Sequence, residues 1–215
     1  MGVEIEAKMR LVDRAALEGR LRERGAERVA VLHETNAYYD TAEGGLKATD
    51  QGLRVRVETD ADGGRTATIT HKGPRAHGPL KSRTETELPV DDPDLASALL
   101  AALGYEHVVT FEKRRDRYAL GGCRVELDTL PRIGAFVEIE GPSDAAVLAV
   151  RRDLGLDSAP LIQASYASLL LSRLVETGVR ERFVRLDAGR EPGGPAEPGD
   201  ASAAALRASA ESPSG

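Results

Sequence analysis

Val3-Glu4-Ile5-Glu6-Ala7-Lys8-Met9 places Glu4, Glu6 and Lys8 on one face of an extended chain and Val3, Ile5, Ala7 and Met9 on the other. The alternation follows from the two-residue period of a β-strand. Two carboxylates so spaced can share a divalent cation, and a lysine beside them can meet an anion bound by the same cation. An ordinary half-buried strand with a wet polar face is spelled the same way, so the meaning of the run depends on whether other strands repeat it.

They do. Leu53, Val55 and Val57 share one face of the next clear strand while Arg54, Arg56 and Glu58 share the other. A turn rich in Asp and Gly leads to Thr66–Lys72, with Lys72 on the threonine face, and residues 73–80 read as an exposed loop. In the strand from Lys81 to Leu88, residues Lys81, Arg83, Glu85 and Glu87 alternate with Ser and Thr. A long strand over about 107–120 carries Phe111, Lys113, Arg115 and Arg117 in one set. The Gly121-Gly122 turn leads to Arg124, Glu126 and Asp128 alternating with Cys123, Val125 and Leu127. Ala135–Glu140 closes the series with a second Glu-x-Glu, Glu138 and Glu140. Another long strand, about 28–40, ends in Tyr38-Tyr39-Asp40-Thr41, where the tyrosine pair reads as packing and turn anchoring.

Helices lie between these strands. Asp13 caps one that ends at Gly25, with Leu17 and Leu21 as its apolar stripe. Asp92 and Pro93 start a second, with Leu95, Leu99, Leu100 and Leu103 at helical spacing and Gly104 as its stop. Ser143 caps a third, to about Leu154. A fourth runs from about Ser165 to Thr177 with Leu169, Leu170, Leu171 and Leu174. The segments Leu21-x3-Gly25-x-Glu27-x-Val29 and Leu100-x3-Gly104-x-Glu106-x-Val108 echo one another, each running helix, glycine, long strand. Residues 1–178 are expected to form the domain and 179–215 a C-terminal extension. From about 186 that extension is poor in large apolar residues and reads as disordered, with weak helical character over Ala203–Ala210.

The composition is that of a globular chain: 215 residues, 41% hydrophobic and 30% charged. A net charge of −6 argues against a general nucleic-acid or acidic-membrane binder, so any anion site must be local. The single cysteine, Cys123, excludes an intrachain disulfide and a cysteine zinc cluster. His33, His71, His77 and His107 show no ligand spacing. No apolar leader or spanning run is present, and the expectation is a soluble, cytoplasmic protein with no membrane and no nucleic-acid partner.

Helices need apolar surface to pack on, and the apolar strand faces supply it. If the sheet curls closed, the charged faces point inward, giving an α+β fold around a closed antiparallel β-barrel with a polar lumen. Such a lumen needs partners for its charges, because an unpaired buried ion costs several kcal/mol. A polyanion bridged by a hard divalent metal, Mg²⁺ or Mn²⁺, suits it: cations meet phosphate oxygens and carboxylates hold the metal.

Taken together, Glu4-Ile5-Glu6-Ala7-Lys8, Tyr38-Tyr39-Asp40-Thr41, Leu53-Arg54-Val55-Arg56, His71-Lys72-Gly73-Pro74, Arg83-Thr84-Glu85-Thr86-Glu87, Lys113-Arg114-Arg115, Glu126-Leu127-Asp128 and Gly134–Glu140 resemble, in order, the CYTH-domain proteins, or triphosphate tunnel metalloenzymes. The resemblance spans about residues 2–175, including Ser165-Tyr166. It implies an eight-stranded tunnel with helices outside. It also implies metal carboxylates at Glu4, Glu6, Glu138 and Glu140, with Asp128 nearby and Glu85 and Glu87 as further candidates. Lys8, Arg54, Arg56, Lys72, Arg83, Lys113 and Arg115 are the implied triphosphate ligands, and Lys8, Glu138 and Glu140 the implied catalytic set. Lys81, Glu58, Arg117, Arg124 and Glu126 share the same faces and read as lumen ion pairs.

The activity implied is metal-dependent cleavage of a triphosphate-containing small molecule: ATP, thiamine triphosphate or tripolyphosphate. The His-Lys-Gly-Pro and Lys-Arg-Arg stretches look most like the class IV adenylyl cyclase branch, which turns ATP into cyclic AMP and pyrophosphate. The alternative is a triphosphatase, as in the thiamine triphosphatase branch. A non-catalytic polyphosphate or nucleotide-binding module would not need all the acids. The oligomeric state stays open, a homodimer included.

Overall fold

Eight antiparallel strands close into a barrel in the computed structural model, which describes residues 2–186. The strands are β1 (Gly2–Arg10), β2 (Glu27–Thr41), β3 (Gly52–Asp60), β4 (Arg65–Ala76), β5 (Lys81–Val90), β6 (Tyr105–Leu120), β7 (Cys123–Leu130) and β8 (Gly134–Glu140). Their order around the wall is β2-β3-β4-β5-β1-β8-β7-β6, and β2 pairs with β6 along nearly its whole length to close the ring. A two-residue strand, β9 (Phe183–Val184), adds parallel to β6.

The helices α1 (Arg14–Glu23), α2 (Gly45–Ala48), α3 (Pro93–Ala102), α4 (Asp144–Asp153) and α5 (Tyr166–Glu176) lie outside the strand ring. Their starts follow capping chemistry. The side chains of Asp13, Asp92, Ser143 and Ser165 accept hydrogen bonds from backbone N–H groups of the first turns of α1, α3, α4 and α5. Gly25 and Gly104, at φ +73° and +91°, supply the left-handed residue that ends α1 and α3.

The outward strand faces bury the apolar half of each alternation. Ala7, Met9, Val125, Leu127, Val137 and Ile139 pack under Leu17 and Leu21 of α1 and Val147, Val150 and Leu154 of α4. On the inward faces, in step with Lys113, Asp128 and Glu138, Val109, Phe111, Leu130 and Phe136 form a second cluster with Tyr166, Ala167, Leu170 and Leu174 of α5. Tyr39, Leu53 and Val55 meet Leu100 of α3 in a third.

Three local expectations need correction. Residues 73–76 are not loop: β4 continues to Ala76 through a register shift at Gly73-Pro74, which realigns Arg75 opposite Arg83. The leucine stripe of α3 is mostly outside the core; Leu100 is buried, whereas Leu95, Leu99 and Leu103 are 67%, 56% and 65% exposed. The turn after Thr41 contains the short helix α2, held because Asp40 accepts from the N–H groups of Leu46 and Lys47. The expected disorder from about 186 and the helix over Ala203–Ala210 fall, beyond Leu186, outside the described residues.

Candidate functional site

Strand register decides which charges meet. Antiparallel pairing sets Glu4 opposite Arg83 on β5, and sets Glu6 and Lys8 opposite Glu140 and Glu138 on β8. On the far wall Arg115 lies opposite Asp128, Arg117 opposite Glu126, and Glu34 opposite Lys113. The inward faces enclose a cavity of about 1300 Å³ whose wall carries Glu4, Glu6, Lys8, Arg54, Arg56, Lys72, Arg83, Lys113, Arg115, Glu138 and Glu140. Eleven of the twelve residues expected at the site therefore line one cavity. The twelfth, Asp128, lies fully buried behind it.

Asp128 has both oxygens occupied. Arg115 donates to them at 2.7 and 2.6 Å, Lys113 to Oδ2 at 3.3 Å, and the Tyr166 hydroxyl to the same oxygen at 2.9 Å. Arg115 also donates to Glu138 at 2.7 Å and pairs with Glu126. Burial alone would pull Arg115 down, but Asp128, Glu126 and Glu34 outweigh it and hold the guanidinium well above its ordinary value.

Lys8 sits at the centre. Its ammonium is 3.2 Å from Glu138 and 3.5 Å from Glu6, and it donates to the Ala164 carbonyl at 3.1 Å. Burial opposes its charge, yet Glu138 and Glu6 raise it, so Lys8 stays protonated. In the same way burial pushes Glu138 up, and Lys8, Arg115 and Lys113 bring it well below the usual carboxylate range.

The arc formed by β3, β4 and β5 is different. Arg54 is buried and donates to the Thr70 hydroxyl at 3.1 Å, and its Nε finds no partner. Arg83 is buried too, its Nε also unpartnered, with Asp50 3.8 Å from its far end. Lys72 lies between them and pairs with Glu4, at 3.2 Å, and with Glu85. Among the described residues Arg54 is a buried lumen cation in no ion pair, and Arg83 has only the distant approach of Asp50.

The acids complement this arc. Burial, and the neighbouring carboxylate of Glu85, push the Glu4 carboxyl up. Burial also pushes Glu140 up, against the pull of Arg124 and with the help of Glu4. Each of these acids keeps one cation beside it, Glu4 with Lys72 and Glu140 with Arg124. No three His, Cys, Asp or Glu residues among those described stand in a ready ligating group. A magnesium-like ion, however, is commonly held by one or two carboxylates together with substrate oxygens and water. The all-oxygen donor set fits such an ion.

Several lumen residues have no place in the sequence expectation. Glu34, fully buried, pairs with Arg56 at 3.2 Å and Lys113 at 3.1 Å and contacts Arg115 at 3.5 Å. Asn36 accepts from Arg56 at 2.8 Å. Tyr38 faces the cavity, stacked on Phe111 with ring centroids 5.7 Å apart, whereas Tyr39 takes the packing role expected of the pair, against Leu53, Val55 and Leu100. The alternation Glu34-x-Asn36-x-Tyr38 carries this signal, and polar identity without a run of charges hides it. Tyr166 lies under two lumen ammoniums, its ring centroid 4.4 Å from Lys8 and 5.3 Å from Lys113. Lys81, Glu58, Arg117, Arg124 and Glu126 do form lumen ion pairs: Lys81 with Glu6, Arg117 with Glu126 and Glu58, and Arg124 with Glu140.

Comparison with known proteins agrees with this geometry. The family model of the CYTH domain matches residues 2–166. A protein named adenylate cyclase CyaB, from Aeromonas hydrophila, is 34% identical over 176 residues, covering 77% of this chain and 87% of that one. The solved PH1819 protein of Pyrococcus horikoshii superposes with a TM-score of 0.70 at 28% identity, covering 79% of this chain and 98% of its own. The protein HpAC1 from Hippeastrum, described as having a dominant triphosphatase activity, superposes with a TM-score of 0.60 over 82% of this chain and 96% of its own. At 18% identity that last likeness is one of fold. With a family model covering most of its length and a lumen built from both signs of charge, the chain belongs to the CYTH-domain family.

Proposed function

We propose that the protein is a divalent-metal-dependent enzyme that holds a triphosphate in its tunnel and cleaves it, acting on ATP as an adenylyl cyclase. The observation that carries the anion site is the buried pair Arg54 and Arg83, whose Nε atoms find no hydrogen-bond partner, Arg54 making no ion pair and Arg83 only a 3.8 Å approach to Asp50. Burying such cations is costly in the empty protein and favourable once phosphate oxygens reach them.

Phosphate oxygens then lie along Arg54, Lys72 and Arg83 on one wall and Arg56, Lys113, Arg115 and Lys8 on the others. Lys8, held protonated, donates to charge that grows on the phosphate in the transition state. Glu4, Glu6, Glu138 and Glu140 would hold Mg²⁺ or Mn²⁺, which supplies charge neutralisation and lowers the barrier to nucleophile activation. Asp128 takes a different part: fully buried behind the cavity wall, it fixes Arg115 and Lys113 in position. In cyclisation the ribose 3′-oxygen bonds to the α-phosphorus, the bond from that phosphorus to the bridging oxygen breaks, pyrophosphate leaves, and the hydroxyl proton is released to water.

The cyclase reading is supported by the name and coverage of the Aeromonas relative. Hydrolysis by water in the same tunnel is the second reading, which the description of the Hippeastrum neighbour keeps in view. The deciding experiment incubates the protein with Mg²⁺ or Mn²⁺ and ATP, thiamine triphosphate or tripolyphosphate, and resolves cyclic AMP, pyrophosphate and phosphate. Cyclic AMP with equal pyrophosphate supports the cyclase. Phosphate release alone transfers the assignment to a triphosphatase, and binding without turnover of any substrate leaves a binding module.

A further inference from the structure

At the β4 bulge Lys72 stands opposite Glu85 and Arg75 opposite Arg83, so β4 uses three residues where β5 uses two. An extra residue inverts the alternation that follows it. Without it Pro74 would come next after Lys72 on the inward face and Arg75 would point away; with it, Lys72 and Arg75 both line the cavity. Gly73 fits the bulge because it is buried and a Cβ there would come within 3.3 Å of the Thr84 carbonyl oxygen. The bulge therefore adds a cation to the wall.

Two guanidiniums set directly across a strand pair repel one another. Asp50, in the turn before β3, lies between them. Its Oδ2 accepts from Arg75 Nε at 2.7 Å and from the Arg75 backbone N–H at 3.0 Å, and its Oδ1 is 3.8 Å from Arg83. Asp50 does this from φ +56°, a left-handed conformation that Asp adopts more readily than most side chains. Arg75 also donates from Nη1 to the Gln163 carbonyl at 3.3 Å, in the loop before α5. The side chains of Arg75 and Asp50 are 38% and 42% exposed, and an ion pair so wet adds little to stability. What it does fix is the direction of a cation at the opening of the cavity, beside the buried Arg83.

We propose that Arg75, turned into the tunnel by the β4 bulge, is a further phosphate-contacting residue at the tunnel mouth, working beside Arg83, and that Asp50 is the residue that positions it. The proposal rests on the triphosphate reading of the lumen and extends the cation row from the buried wall to the opening. Asp50 lines the cavity as well, and a carboxylate beside an anion site opposes the anion by Coulomb's law. Acting by charge alone, Asp50 would weaken binding, and its removal would tighten it. Acting by holding Arg75 in place, it strengthens binding, and its removal loosens it. The two roles differ in sign.

The test measures calorimetric affinity for tripolyphosphate and for ATP, with Mn²⁺ and at two ionic strengths, using the full chain as wild type, Arg75→Ala, Asp50→Ala and the double variant. Arg75→Ala is expected to bind at least about fivefold more weakly, the scale of a charge-assisted contact moderated by solvent, and its affinity should fall less steeply with salt than the wild type's. Asp50→Ala is expected to lose about twofold or more, and the double variant to bind no more weakly than Arg75→Ala, since Asp50 then has nothing left to position. The exposure of both side chains keeps the folding cost of these substitutions small, which melting curves check. Unchanged affinity in Arg75→Ala, a loss that keeps the wild type's salt dependence, or tighter binding in Asp50→Ala overturns the inference and leaves the lumen site standing. Losses that add in the double variant overturn the positioning role of Asp50. Wild-type protein that binds neither compound overturns the triphosphate reading itself.

Discussion

The Tyr166 hydroxyl donates to Asp128 Oδ2 at 2.9 Å while the Tyr166 ring lies beneath Lys8, so one residue of α5 ties an acid and a base of the lumen to the same helix. Burial and Asp128 push the phenol well above its ordinary range, which keeps it the donor. Tyr166→Phe removes the hydrogen bond alone and is expected to cost about 1 kcal/mol in denaturant unfolding. Tyr166→Leu also removes the ring under Lys8 and Lys113 and is expected to cost about 2 kcal/mol more. Equal losses for the two would show that the ring contributes nothing to holding the ammoniums.

Arg54 allows a sharper experiment, because stability and binding should move in opposite directions. Arg54→Met removes a buried cation that no carboxylate compensates, so the ligand-free protein should melt at the same temperature or higher. Triphosphate affinity should fall at least about tenfold, the scale of one charge-assisted contact. A large loss of ligand-free stability would mean that Arg54 is structurally paired and not waiting for an anion.

Glu138 joins Lys8 and Arg115, at 3.2 and 2.7 Å. Glu138→Gln keeps the shape and deletes the charge. Turnover should drop by about a hundredfold, as for other losses of a preorganised electrostatic group. Near-UV circular dichroism checks that the fold survives, and unchanged turnover would refute the role given to this carboxylate.

Acid should loosen the far wall through Glu34. Burial raises its carboxyl, but Arg56, Lys113 and Arg115 hold it well below the ordinary range. A depressed folded-state value means that the stabilisation is complete above the unfolded carboxylate pKa, about 4.3, and is lost as pH falls through the lower folded value. Glu34→Gln should be less stable at neutral pH, with a flatter acid limb in melting temperature against pH. An acid limb as steep as the wild type's would place the titrating group elsewhere.

Outside the barrel, Asp116 serves as a control. Fully buried, it pairs with Arg14 of α1, Arg28 of β2 and, at 3.6 Å, Arg114, so it clamps helix to wall well away from the cavity. Asp116→Ala should cost about 1–3 kcal/mol in unfolding, moderated because the stranded arginines can reach water. Calorimetry should find triphosphate affinity within about twofold of wild type, as expected for a distant and independent site.

The inverted barrel was legible from alternation because its charges recur at every second position on strand after strand, from Glu4 to Glu140. Where charge thinned, legibility failed: β2 faces the lumen with Glu34, Asn36 and Tyr38, and a tyrosine beside another tyrosine does not declare which of the two turns inward. Nor could periodicity tell that Leu100 would be buried while Leu95, Leu99 and Leu103 were left outside, since that depends on how much wall lies under α3. Asp128 shows the same limit. Its residue type and face suggest a metal ligand, and only the positions of Arg115, Lys113 and Tyr166 reveal that its oxygens are already used.

The pairing of β2 with β6 closes the ring between strands far apart in the chain. Closing that seam costs loop entropy, because the strands it joins are distant in sequence. Once it has zipped, neither β2 nor β6 offers a free edge along the seam to a neighbouring molecule, which removes a common route to aggregation.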